Sequence, residues 1–350
     1  VKAIPMGDEF VFFCRHATAQ GMYAPGKATY TFSKALLEHN HSVTLVVLGD
    51  LDDKFKSLAR RFPRLTLAKL TLEKNVERFE ALVSLLVQLR PRVVLTEIEF
   101  DLASVLSILG PSIPVMLLSS GYYNLPWYDK IGLTDTLSDN PVGNRTADHF
   151  VVPAYVTNEL LCTPLEPGII ERARDVLGIT KQDIVIGSFA RMEKFSDEFA
   201  NVLLEVLERT KNTKILIAGP NDPSLVIRSF NKYFKDQRAL ILGESDTQIL
   251  GNCVDIGLDT FPTHSGFSML ELMAKGVPVV SKNDEGIDGY WRHRLPGLLC
   301  SNDEEVIDRL CELSNDGKLR TKFSLQTSEF IDAQEHDAAF VSAVHEALVA

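Results

Sequence analysis

Two segments in the second half of the chain bring together residue types able to hold a diphosphate. In IVIGSFARMEKFSDEF an apolar run ends just before Arg191 and Lys194, and Ser196, Asp197 and Glu198 then open a helix with Phe199, Val202, Leu203, Val206 and Leu207 on one face. Ser is a good N-cap, and acids suit a helix's first turn. Two cations after a strand can reach a pyrophosphate, and the compact charge of a Lys stabilises a departing one; a solvated loop is the plain alternative. In DIGLDTFPTHSGFSMLELMAKGVPVVS an apolar strand ends at Asp259, and His264, Ser265 and Gly266 stand where the next helix must begin, with Phe267 as its first residue. Ser265 can cap that helix, Gly266 lets backbone approach a phosphate, and N–H groups at a helix start favour an anion. His264 can donate to a phosphate oxygen or protonate a leaving group, or it is an ordinary loop histidine. Glu271 lies one turn beyond Phe267 in the apolar stretch GFSMLELMA. A carboxylate there suits the two hydroxyls of a ribose, against the alternative of a solvated helix face.

The first half offers a proton acceptor. His16 follows the first apolar run in EFVFFCRHATAQGMYAPGK, in a loop with Gly21 and Gly26, and imidazole titrates in the useful range. Its rival is the acidic cluster Glu97, Glu99 and Asp101 in RVVLTEIEFD, which is otherwise a solvated turn. Asp50, Leu51 and Asp52 spell a DxD, but an acidic turn after a strand is its commoner meaning. No His/Cys spacing marks a metal site.

These residues need elements to position them. Apolar runs Phe10–Cys14, Val43–Leu48, Leu65–Leu70, Val93–Leu95 and Val115–Leu118 alternate with helical stretches such as Ala28–Asn40 and Glu77–Leu89. A second series runs Ile184–Phe189, Lys214–Ala218, Leu240–Leu242, Val254–Leu258, Val277–Ser281 and Leu298–Cys300. Alternation on this scale means βαβ units and parallel sheets. The expectation is two doubly wound, Rossmann-like domains facing across a cleft, residues 1–162 and 163–350, divided at the helix-breaking CTPLEPG segment, with the last helix packing back on the first domain. Ligands of such folds bind beyond the carboxyl ends of the strands, where every candidate above lies.

Composition narrows the classes. A length of 350 residues suits two domains, and 45% apolar with 24% charged residues is ordinary for a globular protein. A net charge of −11, with no Lys/Arg stripe, argues against a nucleic-acid partner. Apolar runs are far too short to span a membrane. Five cysteines without a CxxC pair read as reduced thiols in a cytoplasmic protein, or as one chance disulfide. The chain starts at Val1 rather than Met, which leaves room for an upstream acceptor-recognition or targeting region.

Together the two donor-side segments resemble the donor-binding domain of GT-B glycosyltransferases. More narrowly, they resemble the family of the nucleocytoplasmic O-GlcNAc transferase and the bacterial adhesin N-glycosyltransferases. In that family a Lys after the first strand of the second domain and a small polar motif opening a later helix hold the UDP diphosphate; these map onto Lys194 and onto His264, Ser265 and Gly266. NDEGIDGYWRHRLPGLL is similar to the bacterial members, and SSGYYNLPWYDKIGLTD is the one likeness in the first half. Many retaining GT-B enzymes carry two Glu separated by seven residues. Glu271 matches the second, but Thr263 stands at the first. The resemblance therefore implies inverting, metal-free transfer of a hexose from a UDP-sugar co-substrate to a protein or glycan acceptor, with no separate cofactor. It leaves two rivals: a UDP-sugar 2-epimerase, and a catalytically inactive partner of a transferase.

Overall fold

A computed structural model of the chain describes residues 8–19, 24–70, 75–96, 115–119, 130–134, 149–152, 165–234, 236–283, 297–332 and 336–349. The chain divides into two compact units, Val1–Thr157 with Glu335–Ala350, and Asn158–Gln334. The divide falls a few residues before 162.

The first unit is built on β1 (Glu9–Cys14), β2 (Ser42–Val47), β3 (Leu65–Lys69), β4 (Val93–Thr96), β5 (Val115–Ser119), β6 (Lys130–Thr134) and β7 (His149–Val152). All pair in parallel, in the order β3-β2-β1-β4-β5-β6-β7. Phe10, Val11, Phe12 and Phe13 make β1 almost wholly apolar, as a central parallel strand covered on both faces requires. Helices Ala24–Glu38, Asp53–Arg61 and Asn75–Leu89 fall between the early strands. Asp52 caps the second of these: one carboxylate oxygen accepts from Phe55 N (3.1 Å) and the other from Ala19 N (2.6 Å). The DxD-like turn thus closes a loop onto a helix start. The final helix, His336–Val349, belongs to this unit; its Phe340 stacks on Phe32 with ring centroids 4.3 Å apart.

The second unit repeats the plan with β8 (Ile184–Phe189), β9 (Thr213–Ala218), β10 (Ala239–Leu242), β11 (Ile256–Leu258), β12 (Val279–Lys282) and β13 (Leu299–Cys300), ordered β10-β9-β8-β11-β12-β13 and all parallel. In both sheets the order reverses beside the first strand, between β1 and β4 and between β8 and β11. Such a switch point opens a crevice beyond the strand ends, because the flanking crossovers leave in opposite directions. The helix Asp197–Arg209 packs its apolar face through Phe199, Val202, Leu203, Val206 and Leu207, each buried, and Ser196 caps it by accepting from Phe199 N at 3.1 Å.

Candidate functional site

Loops after β8 and β11 flank the second unit's switch point, and they meet. Ala190 N donates to Ala218 O (3.2 Å) and Met192 N to Pro220 O (3.1 Å), so the segment leaving β8 is strapped to the one leaving β9. Gly219 makes this possible: a Cβ there would sit 1.7 Å from Ala190 O. A single 3₁₀ turn, Met192–Lys194, then turns Lys194 toward the other loop. Its Nζ donates to the backbone oxygen of His264 at 2.5 Å, across 70 residues of sequence. Ser196 adds a second tie, donating through Oγ to Phe261 O at 2.9 Å.

Asp259, fully buried at the end of β11, organises the rest. One carboxylate oxygen accepts from both Ser265 N (2.9 Å) and Ser265 Oγ (2.6 Å), and the other lies 2.9 Å from His264 Nδ1. Ser265 does not cap the following helix, contrary to expectation: the helix starts one residue later than such a cap requires, and Ser265 is drawn back to this carboxylate. The cap position of helix Phe267–Met273 is Gly266, with no side-chain cap and φ of 65°. A Cβ at Gly266 would meet nothing within 4 Å, so the left-handed backbone is what demands glycine there. Ser268 Oγ donates to Phe189 O and fastens this short helix to the end of β8.

Lys194 is a partly desolvated cation. Burial foremost, and then the Arg191 guanidinium, hold its ammonium below the ordinary lysine range, while Asp259 and Glu193 oppose them. An anion arriving beside it would favour the charged form. Arg191 is exposed and lies 3.3 Å from Glu193. Phe267 is half-buried at the helix start, and Glu271 is buried, 3% exposed, on the same helix. Lys194, His264 and Ser265 are thus drawn into one cluster, with Arg191 on the same loop as Lys194. The member that sequence reasoning passed over is Asp259, which was read only as the end of a strand. Its signal was an acid ending an apolar run shortly before a His-Ser pair.

In the first unit His16 follows β1 at that sheet's switch point. Its Nδ1 lies 3.1 Å from Asp50 N and 3.3 Å from an Asp50 carboxylate oxygen, and its side chain is 36% exposed. The ring rests on Gly49, where a Cβ would come within 2.6 Å of it. Glu97, Glu99 and Asp101 lie outside the described residues, as do Gly21 and most of NDEGIDGYWRHRLPGLL and SSGYYNLPWYDKIGLTD. Among the described residues no helix is long and apolar enough to cross a membrane.

Two Rossmann-ordered parallel sheets in succession, with a polar cluster at the second sheet's switch point, define the GT-B fold. Solved structures agree. The chain is similar to a glycosyltransferase from Rickettsia africae (TM-score 0.73, 15% identity, covering 97% of this chain and 98% of that one). It is also similar to HepE of Anabaena, solved with UDP and glucose (TM-score 0.71, 13% identity, 98% and 100%). A mutant O-GlcNAc transferase from Thermobaculum terrenum matches with a TM-score of 0.70 at 16% identity, over 99% of this chain and 68% of that one. No protein-family model matches the sequence, and no curated protein matches it.

Proposed function

We propose that this protein is a cytoplasmic glycosyltransferase that moves a hexose from a UDP-sugar to a protein or glycan acceptor, with inversion and without a metal. The observation that carries the reading is the bond from Lys194 Nζ to His264 O, which joins the two donor-side motifs at the switch point. UDP and glucose are bound by HepE, which shares the fold. In this reading Lys194 meets the diphosphate and stabilises its charge as the sugar leaves, Arg191 and the start of helix Phe267–Met273 add to that field, and Glu271 faces the ribose. Thr263, in place of a first Glu, supports inversion. His16 or Glu97 receives the acceptor's proton. The free thiols Cys253, Cys300 and Cys311 suit a reducing compartment.

Calorimetry with UDP in the presence of EDTA tests the donor site, and UDP release over a panel of UDP-hexoses with cell lysate as acceptor tests transfer. Lys194→Ala is expected to lose roughly 100-fold or more of transfer. Full activity in that variant would overturn the assignment of Lys194. Conversion of a UDP-sugar with no acceptor present would indicate an epimerase, and absence of UDP binding would indicate the inactive partner.

A further inference from the structure

We propose that Asp259 is a positioning residue: it keeps the proton of His264 on Nδ1, so that any contact the ring makes with a bound donor is made through Nε2. An ionised carboxylate accepts and cannot donate, and the Asp259 oxygen 2.9 Å from Nδ1 can be satisfied by that nitrogen only if it carries hydrogen. The other carboxylate oxygen already takes two donors from Ser265, at 2.9 and 2.6 Å, so the carboxylate cannot rotate without breaking both. Full burial of Asp259 removes water as a substitute partner. In the neutral ring Nε2 is then an acceptor. In the imidazolium it is a donor toward a diphosphate, with the ring's charge balanced by Asp259 behind it. Among the described residues the Lys194 ammonium is near enough to feel the charge of Asp259, and it also feels Arg191 and Glu193 on its own loop.

The same geometry says what an isosteric change would do. In Asp259→Asn the oxygen stays with the two Ser265 donors, so the new amide NH₂ faces His264 Nδ1. The ring can pair with it only by carrying its proton on Nε2. One substitution of equal size therefore inverts the tautomer.

The role toward a ligand rests on the donor reading above; the tautomer does not. Nitrogen-15 NMR of histidine-labelled full chain, at a pH where the ring is neutral, reads the tautomer directly. The wild type is expected to show Nδ1–H at His264, Asp259→Asn to show Nε2–H, and Ser265→Ala to keep Nδ1–H. A wild-type ring protonated on Nε2, or an Asp259→Asn ring that keeps Nδ1–H, would overturn the proposal, and the wild-type spectrum decides even if the variant fails to fold. UDP affinity is the second readout. Asp259→Asn and His264→Gln should each weaken it about tenfold or more, the worth of one hydrogen bond to a charged group. The double variant should be no weaker than either single one, because both remove the same charged donor: Asp259→Asn withdraws the carboxylate behind the imidazolium and leaves only a neutral Nε2–H. Additive losses would overturn the coupling. If the wild type binds no UDP, the donor reading fails while the spectra still judge the tautomer.

Discussion

At Ser196 one hydroxyl has two tasks. It accepts from Phe199 N to cap a helix and donates to Phe261 O to hold the loop after β11. Ser196→Ala is expected to cost about 1–2 kcal/mol as a lost cap, and to weaken UDP binding as well, since the second bond steadies the loop bearing His264. Urea unfolding and calorimetry on the same variant measure the two effects; a stability loss with unchanged UDP affinity would confine Ser196 to capping. Gly219 is a sharper case. Adding one methyl brings it 1.7 Å from Ala190 O, which is backbone and cannot turn aside. Gly219→Ala is therefore expected to lose about 3 kcal/mol or more in urea unfolding, typical of the worst overpacking.

Among elements, what could be read from sequence depended on length and on apolar character. The runs at β1, β2, β8 and β9 stand out because central parallel strands are apolar on both faces, and each spans six residues. Neither β6 nor β7 is so marked. Lys130–Thr134 mixes Lys, Gly and Thr with its apolar residues, and His149–Val152 offers only four residues. Lys194, His264 and Ser265 were legible as chemistry at strand ends. Their meeting was legible only through the family resemblance, because it follows from the β8-β11 adjacency, which is a property of sheet order and not of spacing. Asp259 stayed hidden for the same reason: a buried acid's partners appear only once its loop has closed. Asp52 shows how a motif-like pattern resolves into structure. Asp52→Ala should cost about 1–2 kcal/mol, read by urea unfolding, because Phe55 N and Ala19 N lose their acceptor together.

For the molecule as a whole, the first unit is completed by a helix from the far end of the chain. His345 Nε2 lies 3.1 Å from His41 Nε2, and the edge of Phe10 packs against both rings. Burial foremost holds both imidazoles below their ordinary range. The charge of Arg92 acts the same way on each, with His345 and His39 adding to it at His41 and Asp8 opposing. A proton therefore binds these rings more weakly in the folded than in the unfolded chain. Their contribution is fully present above the unfolded value of 6.5 and is lost as pH falls through the lower folded values. Thermal unfolding of the first unit followed from pH 7.5 to 5 should show this loss, and His345→Gln should flatten it. An unchanged slope in that variant would show that other groups set the acid limit.

The excursion of the chain from the first unit at Thr157 and its return at Glu335 also set an order of events during synthesis. Phe340 and His345 are made only after the entire second unit has been translated. At translation rates of about 5–20 residues per second, Phe32 and His41 wait roughly 15–60 seconds for their partners. Through that interval the nascent first unit has its seven described strands but lacks the helix that packs on Phe32 and His41, and the second unit is complete before that helix is made. The half that holds the donor cluster is free to fold first, and the half that begins the chain is the last to be closed.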